Sequence, residues 1–224
     1  KPFFLRITKK DLCLPKVTTD KIINAKLSTL EKRVYNKILK SMESSRSDIS
    51  KVSLHYRLIQ AALNIHLLKN KTPINEYSNL YDEDPHFSLR KVLGEELFSE
   101  IENLDEGFVP AKHKEVLSMA IDLKKQSQKV IIWGVYIDSI KRLHKLLHFH
   151  GLKGEVIIGE TKKGETEDYN QDEITRAKII EQFKSFSKDS FDYIITNPIV
   201  LGESVSLHRQ CNNSIYFEKQ QNLY

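Results

Sequence analysis

Four short apolar runs constrain this chain more than anything else in it: "KVIIWG" (129–134), "GEVIIG" (154–159), "FDYIIT" (191–196) and "NSIYFE" (213–218). Each is too short for a stable helix and is apolar on consecutive residues, the pattern of a strand buried on both faces. Segments of helical period lie between them. "IDSIKRLHKLLHF" turns Ile137, Ile140, Leu143 and Leu147 to one side, and "DEITRAKIIEQFKSF" supplies a second crossover. Strands joined by helical crossovers run parallel, so the expectation is an α/β fold, a parallel sheet with flanking helices.

The residues before this unit carry no strand signal. "STLEKRVYNKILKSM" opens with Ser28 and Glu31 at capping-box spacing and continues with Leu30, Val34, Ile38 and Met42 on one face. "KVSLHYRLIQAALNIHLLKN" predicts a long helix with Leu54, Leu58, Ala61, Ala62, Ile65 and Leu68 as its stripe. An acidic stretch follows, part loop and part short helix around "SLRKVLGEELFSEI". Pro110 suits a first helical residue, leading into "AKHKEVLSMAIDLKK" with Val116, Ala120 and Leu123 on one face. The expected organisation is a connector over 1–20, an all-helical region over 21–109 with an acidic insert at 76–106, and the α/β unit over 110–224.

Charge is informative through its distribution. The 224 residues carry a net +5, yet 76–106 holds ten acids against Arg90 and Lys91, a net −8 that leaves +13 on the remainder. A basic body suits a protein that meets a polyanion, and a lysine-rich composition bias explains the same numbers. The acidic insert is open to three readings: a competitor for a polyanion groove, a partner-protein surface, or a solvated loop. No apolar run approaches the ~20 residues that cross a bilayer, and "KPFFLRITKK" lacks a signal-peptide core. Cys13 and Cys211 are far apart and form no metal-ligand spacing, which reads as two reduced thiols in an intracellular chain. Starting without Met and stopping at "QQNLY", the chain reads as a fragment of something longer.

Open α/β sheets place ligands beyond the carboxyl ends of their strands. Those ends are Trp133–Gly134, Gly159–Glu160–Thr161, Asn197–Pro198 and Glu218. Gly134 and Gly159 permit close approach of backbone or phosphate there. "GETKKGET" (159–166) mimics a phosphate loop, but Glu165 stands where a Lys has to neutralise phosphate, and no helix follows directly. His144 and His148 form an i, i+4 pair with His150 nearby. Lys141, Arg142 and Lys145 share that side of the helix, so the expectation is a solvated basic face and no metal. Neither G-x-S-x-G nor H-E-x-x-H occurs, and nothing supports independent catalysis.

Read together, these segments resemble the second half of a Swi/Snf-type ATPase, the DNA-translocase branch of superfamily-two helicases. "PFFLRITKKDLCLP" is similar to the segment joining the two ATPase lobes, with Arg6 kept and Ile7 in place of a second arginine. "LSTLEKRVYNKIL" and "LHYRLIQAALNIHLL" resemble the helices that follow it. "KVIIWGVYIDSIKRLHKLL" resembles motif IV, and "IIGET…ITRAKIIEQF" carries Arg176 in the family's arginine position. "TNPIVLGESVSLHRQCNNSIYFE" resembles motif V: Asn197–Pro198 stands for the usual Ser-Thr, Gly202 and Ser204 for two glycines, and Ser206–Leu207 for Asn-Leu. Its form is closer to a bacterial branch than to chromatin remodellers.

The resemblance implies a RecA-like C-terminal lobe that ends before its last motif, from an ATP-hydrolysing parent. It implies no catalytic residue in this chain. Gly134, Val135, Asn197 and Pro198 would face the DNA backbone, the first two and Asn197 through N–H groups. Gly202, Glu203 and Ser204 would face the interlobe nucleotide cleft, and Arg176 would support them. ATP and Mg would both need the first lobe, with no other metal. The implied partners are double-stranded DNA and the parent's own N-terminal lobe, in a cytoplasmic, nucleoid-associated bacterial setting without a membrane. A degenerate lobe serving as a non-catalytic nucleic-acid- or protein-binding scaffold is the alternative.

Overall fold

A computed structural model of the protein describes residues 19–46, 48–69, 89–162, 175–201, 207 and 209–218. The first element is helix α1 (Thr29–Ser44). Its capping box is formed: Ser28 Oγ accepts the Glu31 N–H at 3.3 Å, and the Glu31 carboxylate accepts the Ser28 N–H at 2.8 Å. Helix α2 (Asp48–Leu63) packs against it, and a 3₁₀ turn (Ile65–Lys69) follows. A single helix running through Leu68 was expected; it stops at Leu63 because the Asn64 side chain takes the His66 N–H at 3.0 Å, competing with the helical ladder.

Helices α3 (Leu89–Leu93) and α4 (Glu95–Glu102) meet at Gly94, whose φ of 82° lets the chain turn between them. Leu89, Leu93, Leu97 and Ile101 close one apolar core with Val34, Ile38, Leu54, Leu58, Ala61 and Ile65. Residues 89–102 of the acidic insert are therefore packed as helices, in line with the short helix expected around "SLRKVLGEELFSEI", while Asn103, Asp105 and Glu106 are exposed in the turn that follows. Several of its acids are paired: Glu100 with Arg33, Glu95 and Glu102 with Arg90, and Glu106 with Lys69 and Arg142. Residues 76–88 of that insert lie outside the described residues, as do 1–18.

Helix α5 (Ala111–Lys125) begins one residue after its N-cap Pro110. The chain then alternates through β1 (Val130–Trp133), α6 (Ile137–Phe149), β2 (Gly154–Ile157), α7 (Arg176–Lys184), β3 (Tyr193–Thr196), α8 (Pro198–Leu201) and β4 (Asn213–Tyr216). All four expected strands are present and parallel, in the order β2-β3-β1-β4. Val130, Ile132, Tyr193, Ile195 and Phe217 face α5 and α6 in one core. Ile131, Ile157 and Ile194 point the other way, onto Ile179 and Phe183 of α7 and Leu201 of α8. A three-layer α/β sandwich results, which is why the strands read as continuous apolar runs.

Glu31 joins the two parts. Its second oxygen accepts the buried Ala111 N–H at 2.9 Å, so one carboxylate that is 2% exposed caps the first turns of both α1 and α5. Nearby, His66 Nε2 bonds the Phe108 carbonyl at 3.1 Å, and Tyr56 meets Tyr136 edge to face.

Candidate nucleic-acid interface

The carboxyl ends of β1, β3 and β4 converge because β1 lies between the other two, which places the sheet's change of direction there. Gly134 follows β1, and its N–H donates to Thr196 O at 2.9 Å. A Cβ at this position would lie 2.6 Å from Ile140 Cγ1, so only glycine lets α6 start this close to the strand. The Val135 and Tyr136 N–H groups at the start of α6 both donate, at 2.8 Å, to one oxygen of Glu218, the residue that closes the β4 end.

That geometry revises the role expected of Gly134 and Val135. Their N–H groups are donated within the protein, to Thr196 and Glu218. A phosphate would have to displace the Glu218 carboxylate to reach Val135. Asn197 is buried; its Nδ2 donates to Val135 O at 3.3 Å, and its Oδ1 accepts the Ile199 N–H at 2.9 Å, capping the short α8. Pro198 opens α8 and, lacking an N–H, offers no backbone donor. Ile199 beside it is exposed. Arg176 opens α7 and reaches Val200 O at 3.4 Å, so it braces the α8 segment from the neighbouring crossover. Gly202, Glu203 and Ser204 lie outside the described residues.

Glu218 entered the sequence reading only as the end of its strand, with no role given to its carboxylate; the one signal was an acid placed directly after the apolar strand in "IYFE". Its surroundings form a buried polar cluster. Burial pushes its carboxyl above the usual carboxylate range, opposed by the Tyr136 and Val135 N–H groups. The Ser139 hydroxyl also lies against the Glu218 carboxylate, and the Ser139 backbone lies against the buried His113 ring. His113 packs edge-on against Phe217 at 4.9 Å, and burial drives its pKa down to about 3. Lys112 donates to Phe217 O at 3.0 Å, and burial lowers its pKa.

Of the three histidines, His148 and His150 are exposed as expected, and His144 departs. His144 is half-buried and its Nδ1 lies 2.9 Å from the Tyr193 hydroxyl, so it belongs to the packed face and not to a solvated one. Burial lowers its pKa and raises that of Tyr193. Gly159 is exposed in a turn that Thr161 closes by accepting the Ile158 N–H at 3.0 Å. Cys211 is a free, buried thiol. Among the described residues, no group of three or more His, Cys, Asp or Glu is arranged to hold a metal ion.

The fold has solved counterparts. The C-terminal part of the Fun30 ATPase domain superposes with a TM-score of 0.53 over 88% of this chain and 73% of that structure, at 13% identity. The chain has the fold of this C-terminal part of an ATPase domain. The Sulfolobus solfataricus SWI2/SNF2 ATPase C-terminal domain aligns over 84% of this chain and 64% of that one, at 16% identity and a TM-score of 0.48. The fold correspondence rests on the first of these. No protein-family model matches the sequence, and no curated protein matches it. In this lobe the aromatic pair Trp133 and Tyr216 stacks at 6.4 Å across β1 and β4, with Tyr216 exposed and Trp133 Nε1 donating to Ser214 Oγ at 2.7 Å. No described helix is long and apolar enough to cross a membrane.

Proposed function

We propose that this chain is the second lobe of an ATP-dependent DNA translocase of the Swi/Snf type, gripping the backbone of double-stranded DNA and forming one wall of the interlobe ATP cleft. The observation that carries the reading is the fold correspondence with the Fun30 ATPase C-terminal part over nearly the whole chain, helical region included. The proposed division is a connector over 1–20, a helical region over 21–109 and a RecA-like lobe over 110–224. ATP and Mg belong to the cleft completed by the first lobe, and the isolated chain is inactive. Asn197 and Pro198 stand at the DNA side, Gly202, Glu203 and Ser204 at the nucleotide side, and the setting is the bacterial nucleoid.

The test is duplex binding and ATP turnover by the 224-residue chain. The expected result is salt-sensitive binding of any duplex sequence without ATP hydrolysis. Hydrolysis by the chain alone, or binding indifferent to salt, overturns the reading. A second reading, a scaffold that binds nucleic acid or protein without catalysis, is favoured at one point: Glu218 occupies the N–H groups that a phosphate would use. A parent containing the first lobe separates the two, because only the translocase shows DNA-stimulated ATP hydrolysis.

A further inference from the structure

Helix α1 buries Glu31, Val34 and Ile38 and turns a basic face outward. Lys32, Asn36 and Lys40 form one exposed row at i, i+4 spacing, and Arg33 and Lys37 form the row beside it. Arg33 is held by Glu100 at 3.0 Å, whereas Lys26, Lys32, Lys37 and Lys40 make no ion pair among the described residues. An open groove of about 670 Å³ runs along the first half of the helix, walled by Lys26, Leu27, Thr29, Lys32, Arg33, Tyr35 and Asn36 with no acid among them, while Lys37 and Lys40 line the neighbouring groove together with Glu95 and Glu96.

We propose that this face of α1 is a phosphodiester-binding surface, a second grip on the duplex outside the sheet. Three observations choose that occupant. The charged side chains of this groove are all cations, set beside the hydroxyl and amide groups of Thr29, Tyr35 and Asn36 on a partly apolar floor that includes Leu27, and such cations and donors contact phosphates without reading sequence. No large apolar side chain of α1 itself is exposed, so the helix face presents cations where a protein interface has apolar anchors; the exposed Ile22 and Ile23 precede the helix. The helix also starts on the same side as the strand ends: Glu31 reaches Ala111 at the start of α5, and the adjoining Lys112 reaches Phe217 O beyond β4. Lys32 to Lys40 spans about 12 Å. A duplex presents about seven phosphate charges over that length.

This inference rests on the duplex reading of the lobe, and the experiment separates the two. Binding of a 20-base-pair duplex is followed by fluorescence anisotropy against salt for the parent chain and for a Lys26→Gln, Lys32→Gln, Lys37→Gln, Lys40→Gln variant. The salt slope is expected to become shallower by roughly 0.9 for each lysine that contacts a phosphate, about 3.6 at most. The matching Lys→Arg variant is expected to keep the parent slope. A Gln variant with the parent's slope overturns the α1 surface and leaves the duplex reading intact. A parent chain that binds no duplex overturns the duplex reading itself. Displacement of duplex by polyglutamate at equal charge concentration overturns the nucleic-acid assignment in favour of an acidic protein partner.

Discussion

Replacing Glu31 by glutamine tests the joint between the helical region and the α/β lobe. The carboxylate accepts one N–H on each oxygen, from Ser28 at 2.8 Å and from Ala111 at 2.9 Å, in a site 2% exposed. Glutamine has a single acceptor oxygen, so either the Ser28 or the Ala111 N–H must face the amide NH₂. Leaving a buried donor unsatisfied costs about 1–3 kcal/mol. The surviving bond loses its charge assistance, about 1 kcal/mol more. The expected destabilisation is about 2–4 kcal/mol. With a urea m-value of about 1–3 kcal/mol/M, it is read as a midpoint lowered by about 1 M or more in far-UV circular dichroism. Ser28→Ala is the internal standard. It removes the Ser28 side-chain bond to the Glu31 N–H but leaves the bond to Ala111, and it should cost only about 1 kcal/mol. If Glu31→Gln costs no more than Ser28→Ala, the two-helix cap has no energetic reality and the argument fails.

Acid should weaken the fold through His113. Its pKa is about 3 when folded and about 6.5 when unfolded, so below pH 6.5 the unfolded chain takes up a proton that the native state refuses. Stability present above pH 6.5 is lost as pH falls toward 3. His113→Phe should therefore lose about 2 kcal/mol less than the parent between pH 6.5 and 5 in urea titrations, and equal losses would refute the assignment. Glu218 has the opposite sign. Its raised pKa gives stability that is full below the unfolded carboxyl range and declines as pH rises through the folded value. Glu218→Gln keeps an acceptor for Val135 and Tyr136 and removes the buried charge. It should gain on the parent between pH 4 and pH 7, and a variant that loses stability relative to the parent over that range contradicts the cluster as described.

The strands were legible because burial on both faces leaves an unbroken apolar run, and Val130–Trp133 and Tyr193–Thr196 are clear cases. Their order was not legible, since nothing local in "VIIW" says that it pairs with both β3 and β4. The Ser28–Glu31 box could be read from its spacing, but the reach of Glu31 to Ala111 is a tertiary contact 80 residues away. His144 was misjudged because its helical position is polar by neighbourhood while its ring turns inward to Tyr193. Glu218 was passed over because a terminal acid after a strand carries no signature until the start of α6 is seen to point at it.

The strand order also has a consequence for how the lobe is made. β1 is central, yet its partners come later: Tyr193 pairs with Val130 from 63 residues downstream, and Asn213 from 83. At a synthesis rate of about 5–20 residues per second, "VIIW" waits roughly 3–13 s before its first neighbour exists. Until then it is an apolar strand with two open edges, the kind of segment that chaperones hold and that aggregates when they do not. Helices α1 and α2 meet across a few residues and can assemble at once. A newborn chain is thus a helical front followed by a sheet that stays unfinished until β3 emerges.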